Sequence, residues 1–144
     1  KRKLLLLGAA LVTFVVLLII FILTTTSICK EQWAINNYGQ KVNGKPGISG
    51  IDTNVLKAWK ITKGNSNILI AVIDSGVDFS CKGLTAATKS HHDDGWDFYH
   101  NDSTVYDTYL QDYHGTYIAN TIAGNGADKN VVGIAPGVSL ISIK

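Results

Sequence analysis

The carboxylate of Asp74 is the first side chain in the sequence whose position suggests chemistry. The residues before it, ILIAVI at 68–73, form an apolar run typical of a buried parallel strand, and the small residues Ser75 and Gly76 follow it. Ligand sites of open α/β sheets lie beyond the carboxyl ends of the strands, so Asp74 is well placed for a reaction. At this point two interpretations remain: a reactive carboxylate, or an aspartate that only caps the turn. A phosphatase nucleophile is disfavoured, because Gly76 stands where that chemistry places a second carboxylate.

A second group that could do chemistry is the tract SHHDD, which contains His91, His92, Asp93 and Asp94. Imidazole and carboxylate groups are ordinary zinc ligands. Adjacent ligands in a loop seldom reach one ion together, so a solvated loop is the favoured interpretation. We therefore predict no metal site and no cofactor.

Two segments with helical periodicity must position these groups. The first covers residues 53–64, TNVLKAWKITKG, with Asp52 or Thr53 as its cap. The second covers residues 114–126, HGTYIANTIAGNG, and stops at one of two glycines near its end. The apolar residues predicted to share one face are Val55, Leu56 and Trp59 in the first helix, and Ile118, Ala119 and Ile122 in the second.

Three strands are predicted at residues 68–74, 95–99 (GWDFY) and 138–144 (VSLISIK). Residues 30–52 are rich in Asn and Gly and are predicted to form a loop. Because the strands alternate with helical segments, the pattern predicts an α/β fold with a parallel sheet.

The N-terminal segment is predicted to be a membrane anchor. An uncharged apolar run at residues 4–23 follows three basic residues, and it is long enough to cross a bilayer as a transmembrane helix over about 4–24. The three basic residues before the apolar run place the N-terminus in the cytoplasm. A cleaved signal peptide is the alternative, but its apolar region usually spans about 7–15 residues, and TTTSIC offers no AxA-like site. We predict a signal-anchor in residues 1–29 and an extracellular or extracytoplasmic domain in residues 30–144, which is secreted if the segment is cleaved.

Composition excludes some partners of the domain after the anchor. Three of the 13 Lys and Arg residues occupy the first three positions, which leaves ten against 11 Asp and Glu. This balance gives no basic surface for a nucleic acid. Cys29 and Cys81 are the only cysteines, and Cys29 stands beside the predicted membrane segment, so we expect no internal disulfide.

Three motifs, in this order, resemble the first half of a subtilisin-like serine protease of the subtilase, or S8, family. They are AVIDSGVD around Asp74, HGTYIANTIAG around His114, and VVGIAPGVSLISIK after it. The resemblance covers nearly all of residues 32–144 and implies a subtilisin-like parallel-sheet sandwich, incomplete in this chain. It also implies polypeptide substrates and catalytic roles for both residues: His114 takes the proton of an attacking serine, and Asp74 fixes the tautomer of His114 and stabilises its cation.

The sequence also departs from this family. Tyr117 and Asn120 stand where the family motif HGTHVAG has a histidine and a glycine, and Gly83 stands where many members carry an aspartate that helps hold a structural calcium ion. We therefore expect no calcium site. None of the serines lies in a GTSxAxP motif, which carries the family's nucleophile. We expect this chain to be inactive by itself, because triad catalysis requires that serine.

Two hypotheses for the function follow. The favoured one is the N-terminal portion of a membrane-anchored, outward-facing serine endopeptidase, whose nucleophile lies in a segment beyond Lys144. The alternative is a truncated, non-catalytic pseudoprotease or binding module on the same anchor. The first is favoured because an isolated half-domain would leave too much apolar surface unburied.

Overall fold

The computed structural model describes residues 28–85, 87, 95–106 and 113–144. The predicted transmembrane helix over 4–24 and the SHHDD tract lie outside the described residues. Within them, no helix is both long enough and apolar enough to cross a bilayer. The elements are β1 (Lys41–Val42), β2 (Lys45–Pro46), α1 (Val55–Ala58), β3 (Leu69–Ile73), β4 (Gly95–Trp96), α2 (His114–Ala123) and β5 (Ser139–Ile143).

Strands β3, β5 and β4 form a parallel sheet in that spatial order, which confirms the predicted α/β class. The whole of β5 pairs with β3, from Leu69 opposite Ser139 to Ile73 opposite Ile143. Strand β4 pairs with the end of β5 on its other side. Because the strands are parallel, their carboxyl ends meet at one edge of the sheet, and the residues that follow them become neighbours.

Helix α2 packs against the sheet through small side chains. Its buried residues are Gly115, Thr116, Ala119 and Ala123, so the helix backbone comes close to the strands. The prediction was right for Ala119 and for Ile122, which packs against the core, but wrong for Ile118, which is 38% exposed. The buried cluster beneath the helix consists of Val72, Val77, Leu84, Ala87, Ala119, Ala123, Val138 and Leu140.

Strand β3 is less buried than its apolar sequence predicts. Val72 is 3% exposed, whereas Ile73 is 78% exposed. Among the described residues only β5 pairs with β3, so the strand lies at an edge of the described part of the sheet. The predicted strand at 95–99 is also shorter than expected, because Asp97 leaves it to pair with Asp102 across a turn.

The segment predicted as a loop contains a short antiparallel hairpin, β1 and β2. Asn43 and Gly44 form its turn with φ of 51° and 78°, the left-handed conformations that Asn-Gly adopts in tight hairpins. This dipeptide is the sequence signal that could have predicted the hairpin.

Helix α1 is also shorter than predicted. It begins after Asn54, which has φ of 56° and makes no side-chain cap. The predicted cap Asp52 instead accepts the backbone N–H of Asn54 at 2.8 Å, which forms a turn ahead of the helix. Trp59 follows α1 and donates its indole N–H to Ile134 O at 2.8 Å.

Candidate active site

Asp74 and His114 lie in hydrogen-bond contact, as the resemblance implies. Asp74 directly follows β3 and His114 is the first residue of α2, so the sheet and the helix each supply one of them. The Nδ1 atom of His114 lies 2.8 Å from Oδ1 of Asp74 and 3.0 Å from Oδ2. The Asp74 side chain is 19% exposed and the imidazole 69% exposed. The carboxylate is therefore shielded by protein, while the imidazole is accessible to a substrate.

Ser75 connects the end of the strand to the start of the helix. Its backbone N–H donates to Oδ1 of Asp74 at 2.7 Å, and its hydroxyl oxygen accepts the backbone N–H of Gly115 at 3.2 Å. Sequence reasoning treated Ser75 only as a turn residue. Its hydrogen bond to Gly115 spans 40 positions of sequence, so no local pattern indicates it.

The close approach of β3 and α2 requires glycine at two positions. A Cβ atom at Gly115 would collide with the carbonyl oxygen of Gly76 and would lie 3.1 Å from Cβ of Asp74. Gly76 has φ of 109°, and a Cβ atom there would collide with the carbonyl oxygen of Val105. That same oxygen accepts the N–H of Val77 at 3.0 Å. The backbone turn after Asp74 is thus enclosed by protein atoms.

Electrostatics keep Asp74 ionised. The hydrogen bond from His114 is the largest cause that lowers the pKa of Asp74 below 3.8, followed by the N–H of Ser75, and both outweigh the partial burial. An ionised Asp74 accepts the Nδ1 proton, so the neutral imidazole of His114 has its lone pair on Nε2. An imidazole oriented in this way is suited to take a proton as a general base.

Two residues that depart from the family pattern, Gly83 and Asn120, are in contact. A Cβ atom at Gly83 would collide with Oδ1 of Asn120, so an aspartate at position 83 would require the Asn120 side chain to move. In the described part of the chain, no three His, Cys, Asp or Glu side chains are grouped to hold a metal ion. The third departure, Tyr117, is exposed on α2, where its ring lies 6.4 Å from that of Tyr113.

Comparison with known proteins places the chain in a family. Residues 65–144 match the peptidase S8, Subtilase family, and the chain belongs to this family. It is 36% identical over 90 residues to halolysin of Haloferax mediterranei, covering 62% of this chain and 17% of halolysin. It is also 36% identical over 95 residues to the major intracellular serine protease of Bacillus subtilis, covering 62% of this chain and 28% of that protein.

A solved structure has the same fold. The serine protease of Aeromonas sobria, in a complex with a chaperone, aligns with a TM-score of 0.63 at 24% identity. The alignment covers 78% of this chain and 19% of that protease. This chain therefore spans less than a third of each of these proteins.

Proposed function

We propose that residues 1–144 supply the general base, and the aspartate that orients it, to a serine endopeptidase of the subtilase family. The observation that carries the proposal is the Asp74–His114 pair in a chain of this family. In this mechanism His114 takes the proton of the attacking serine and delivers it to the leaving amine. Asp74 holds the Nδ1 proton and stabilises the imidazolium that forms. The substrates are polypeptides.

The nucleophile of this proposed enzyme lies outside residues 1–144, because none of the serines there stands in a GTSxAxP motif. The 144-residue chain alone is therefore inactive, since a triad without its serine loses nearly all of its catalysis. The second candidate, a non-catalytic module that binds partners without cutting them, is equally compatible with the missing motif.

The protein is anchored in a membrane through residues 4–24 and presents its peptidase domain outside the cytoplasm. The support is the uncharged run at 4–23 behind three basic residues. We expect the chain to stay in the membrane fraction after alkaline carbonate extraction, and residues after 29 to be cleaved by protease added outside intact cells. Recovery in the soluble fraction, or protection from the protease, would contradict the anchor or its orientation.

The test of activity uses the polypeptide that joins residues 1–144 to a GTSxAxP segment. We expect it to hydrolyse casein, and we expect His114→Ala and Asp74→Asn each to lower kcat/KM by about 10⁴-fold or more. The matched control is Thr121→Ala, an exposed position on the same helix, which should leave kcat/KM unchanged. Full activity in His114→Ala would refute the assignment of the base.

Two further results separate the candidates. A reading frame after the Lys144 codon that encodes GTSxAxP supports the enzyme, and a stop codon with no such frame supports the non-catalytic module. The 144-residue chain should not react with a fluorophosphonate probe. Labelling of that chain would show that one of its own serines is nucleophilic, contrary to the proposal.

A further inference from the structure

A buried ion pair lies at the carboxyl end of the sheet, outside the Asp74–His114 pair. Asp97 follows β4 and is fully buried, and Lys144 follows β5 with a side chain only 10% exposed. The Nζ atom of Lys144 lies 2.9 Å from Oδ2 of Asp97, in an ion pair whose geometry falls short of a directed hydrogen bond. Moving two charges out of water costs free energy, and their mutual attraction does not always compensate for that cost. A buried ion pair therefore does not by itself indicate that the pair stabilises the fold.

Asp97 is held as an anion by several donors. Its Oδ1 accepts the backbone N–H groups of Tyr99 and His100 at 2.8 and 3.0 Å, and its Oδ2 lies 2.8 Å from Nδ1 of His100. Burial by itself would raise the pKa of Asp97, but these groups and Lys144 outweigh it and hold that pKa well below its usual range. Asp97 is therefore a fixed negative charge that attracts the ammonium group of Lys144 at neutral pH.

Lys144 reaches from this anion to the turn that follows Asp74. Its Cδ atom lies 3.2 Å from the position a Cβ atom would take on Gly76, two residues after Asp74. The residue before it, Ile143, accepts the backbone N–H of Asp74 at 3.0 Å. The Lys144 side chain thus lies beside the segment that carries the carboxylate, and the backbone at the end of β5 is hydrogen-bonded to it.

The same turn is contacted by the helix that carries His114. The open side of the Gly76 Cα faces the carbonyl oxygen of Val105 first and Cδ of Lys144 second, and the carbonyl oxygen of Gly76 faces Gly115, the residue after His114. We therefore expect a displacement of the turn on the Lys144 side to move both members of the Asp74–His114 pair. We propose that Lys144, fixed by the buried carboxylate of Asp97, is a positioning residue that holds the Asp74 turn against the start of α2. The expected effect of Lys144 on catalysis rests on the proposed function, but its expected effect on the distance between Asp74 and His114 does not.

The test replaces Lys144 by methionine, which keeps most of the stem and removes the ammonium group. The readout is the low-field proton NMR signal of His114 Nδ1–H in the full chain, which is sensitive to the distance from Asp74. We expect Lys144→Met to shift this signal and to speed its exchange with water by about tenfold, because a longer hydrogen bond protects the proton less. The control is Lys60→Met, an exposed lysine, which should leave the signal unchanged.

A second variant addresses loss of folding. Lys144→Met combined with Asp97→Asn leaves no unpaired buried charge, and we expect the same change in the His114 signal. A folded variant of either kind with the wild-type signal would overturn the proposal. If neither variant folds, the ion pair is a requirement for folding, and the positioning role is rejected.

Activity provides a separate readout. In the polypeptide with the GTSxAxP segment, we expect Lys144→Met to lower kcat by roughly 10- to 100-fold with little change in KM, because a small misplacement of the base affects chemistry more than binding. An unchanged kcat in the folded variant would also overturn the proposal. If the wild-type polypeptide cleaves nothing, the proposed function fails, while the NMR signal still decides whether Lys144 positions the pair.

Discussion

Replacing Gly115 by alanine tests the contact between β3 and α2 on which the Asp74–His114 pair depends. In an ordinary helix this change stabilises by about 0.5–1 kcal/mol, because alanine has the higher helix propensity. Here the new methyl group would collide with the carbonyl oxygen of Gly76 and lie 3.1 Å from Cβ of Asp74. Overpacking of this kind typically costs about 1–3 kcal/mol. The structure therefore predicts a net loss of stability, opposite in sign to the helix propensity.

The size of the displacement follows from the contacts. Carbon atoms in contact prefer a separation of about 3.5–4.0 Å, so the 3.1 Å contact with Asp74 requires a shift of at least roughly 0.5 Å, and the tighter collision with the carbonyl oxygen of Gly76 requires more. If the start of α2 moves away from β3 by that amount, the 2.8 Å distance from His114 Nδ1 to Asp74 Oδ1 becomes about 3.3 Å. That distance lies just beyond the usual range of about 2.7–3.2 Å, so the hydrogen bond is weaker and holds the imidazole less firmly.

Two measurements on the full chain check this prediction. Urea denaturation should give Gly115→Ala a lower midpoint than the wild type, and the His114 Nδ1–H signal should weaken or disappear. The matched control is Thr121→Ala, which introduces the same residue on the exposed side of the same helix and should preserve both properties. If Gly115→Ala is as stable as Thr121→Ala and keeps the Nδ1–H signal, the close approach of α2 to β3 is refuted.

Two further predictions follow from pKa shifts. The folded pKa of Asp74 lies below 3.8 because of the His114 hydrogen bond, so ¹³C NMR titration should show a higher pKa in His114→Ala. The lowered pKa of Asp74 contributes to the free energy of unfolding above pH 3.8, and this contribution is lost as the pH falls through the folded pKa. If the wild type remained more stable than His114→Ala in strong acid by the same amount, this linkage would be contradicted. Burial, and then the charge of Asp78, raise the pKa of Cys81, so in a Cys29→Ser chain iodoacetamide at pH 8 should alkylate Cys81 severalfold faster after unfolding in urea. Equal rates in the folded and unfolded chains would contradict this second prediction.

The sequence predicted the elements that carry the strongest patterns. The apolar run before Asp74 and the terminal VSLISIK run became the parallel pair β3 and β5, and the helix from His114 ends before Gly124, one of the two predicted stops. Helical periodicity was right for Ala119 and Ile122 in α2 but wrong for Ile118, because close packing of the helix on the sheet selected small residues there. Large apolar side chains indicate a buried face only when the space beneath a helix is wide enough to hold them.

The contacts that support the candidate site had no local signal. The hydrogen bond between Ser75 and Gly115 and the ion pair between Asp97 and Lys144 each join residues 40 or more positions apart. The two members of each pair lie in different stretches of the sequence, so no single motif predicts the contact, and each contact forms because parallel strands and α2 bring their ends to one edge of the sheet. The family motifs indicated Asp74 and His114, but only the fold reveals the residues that hold them in place.

The contact between Gly83 and Asn120 changes the interpretation of two departures from the family. In the sequence each stands alone, and Asn120 adds bulk where a glycine would allow a close approach. In the structure the amide of Asn120 fills the space that a side chain at position 83 would need, and its Nδ2 donates to Thr116 O at 3.2 Å. The carbonyl oxygen of Gly83 accepts the N–H of Asn125 at 2.9 Å, which connects this loop to the segment after α2. The glycine at position 83 therefore accommodates the bulk of Asn120 on α2, and a side chain at position 83 would require the Asn120 side chain to move.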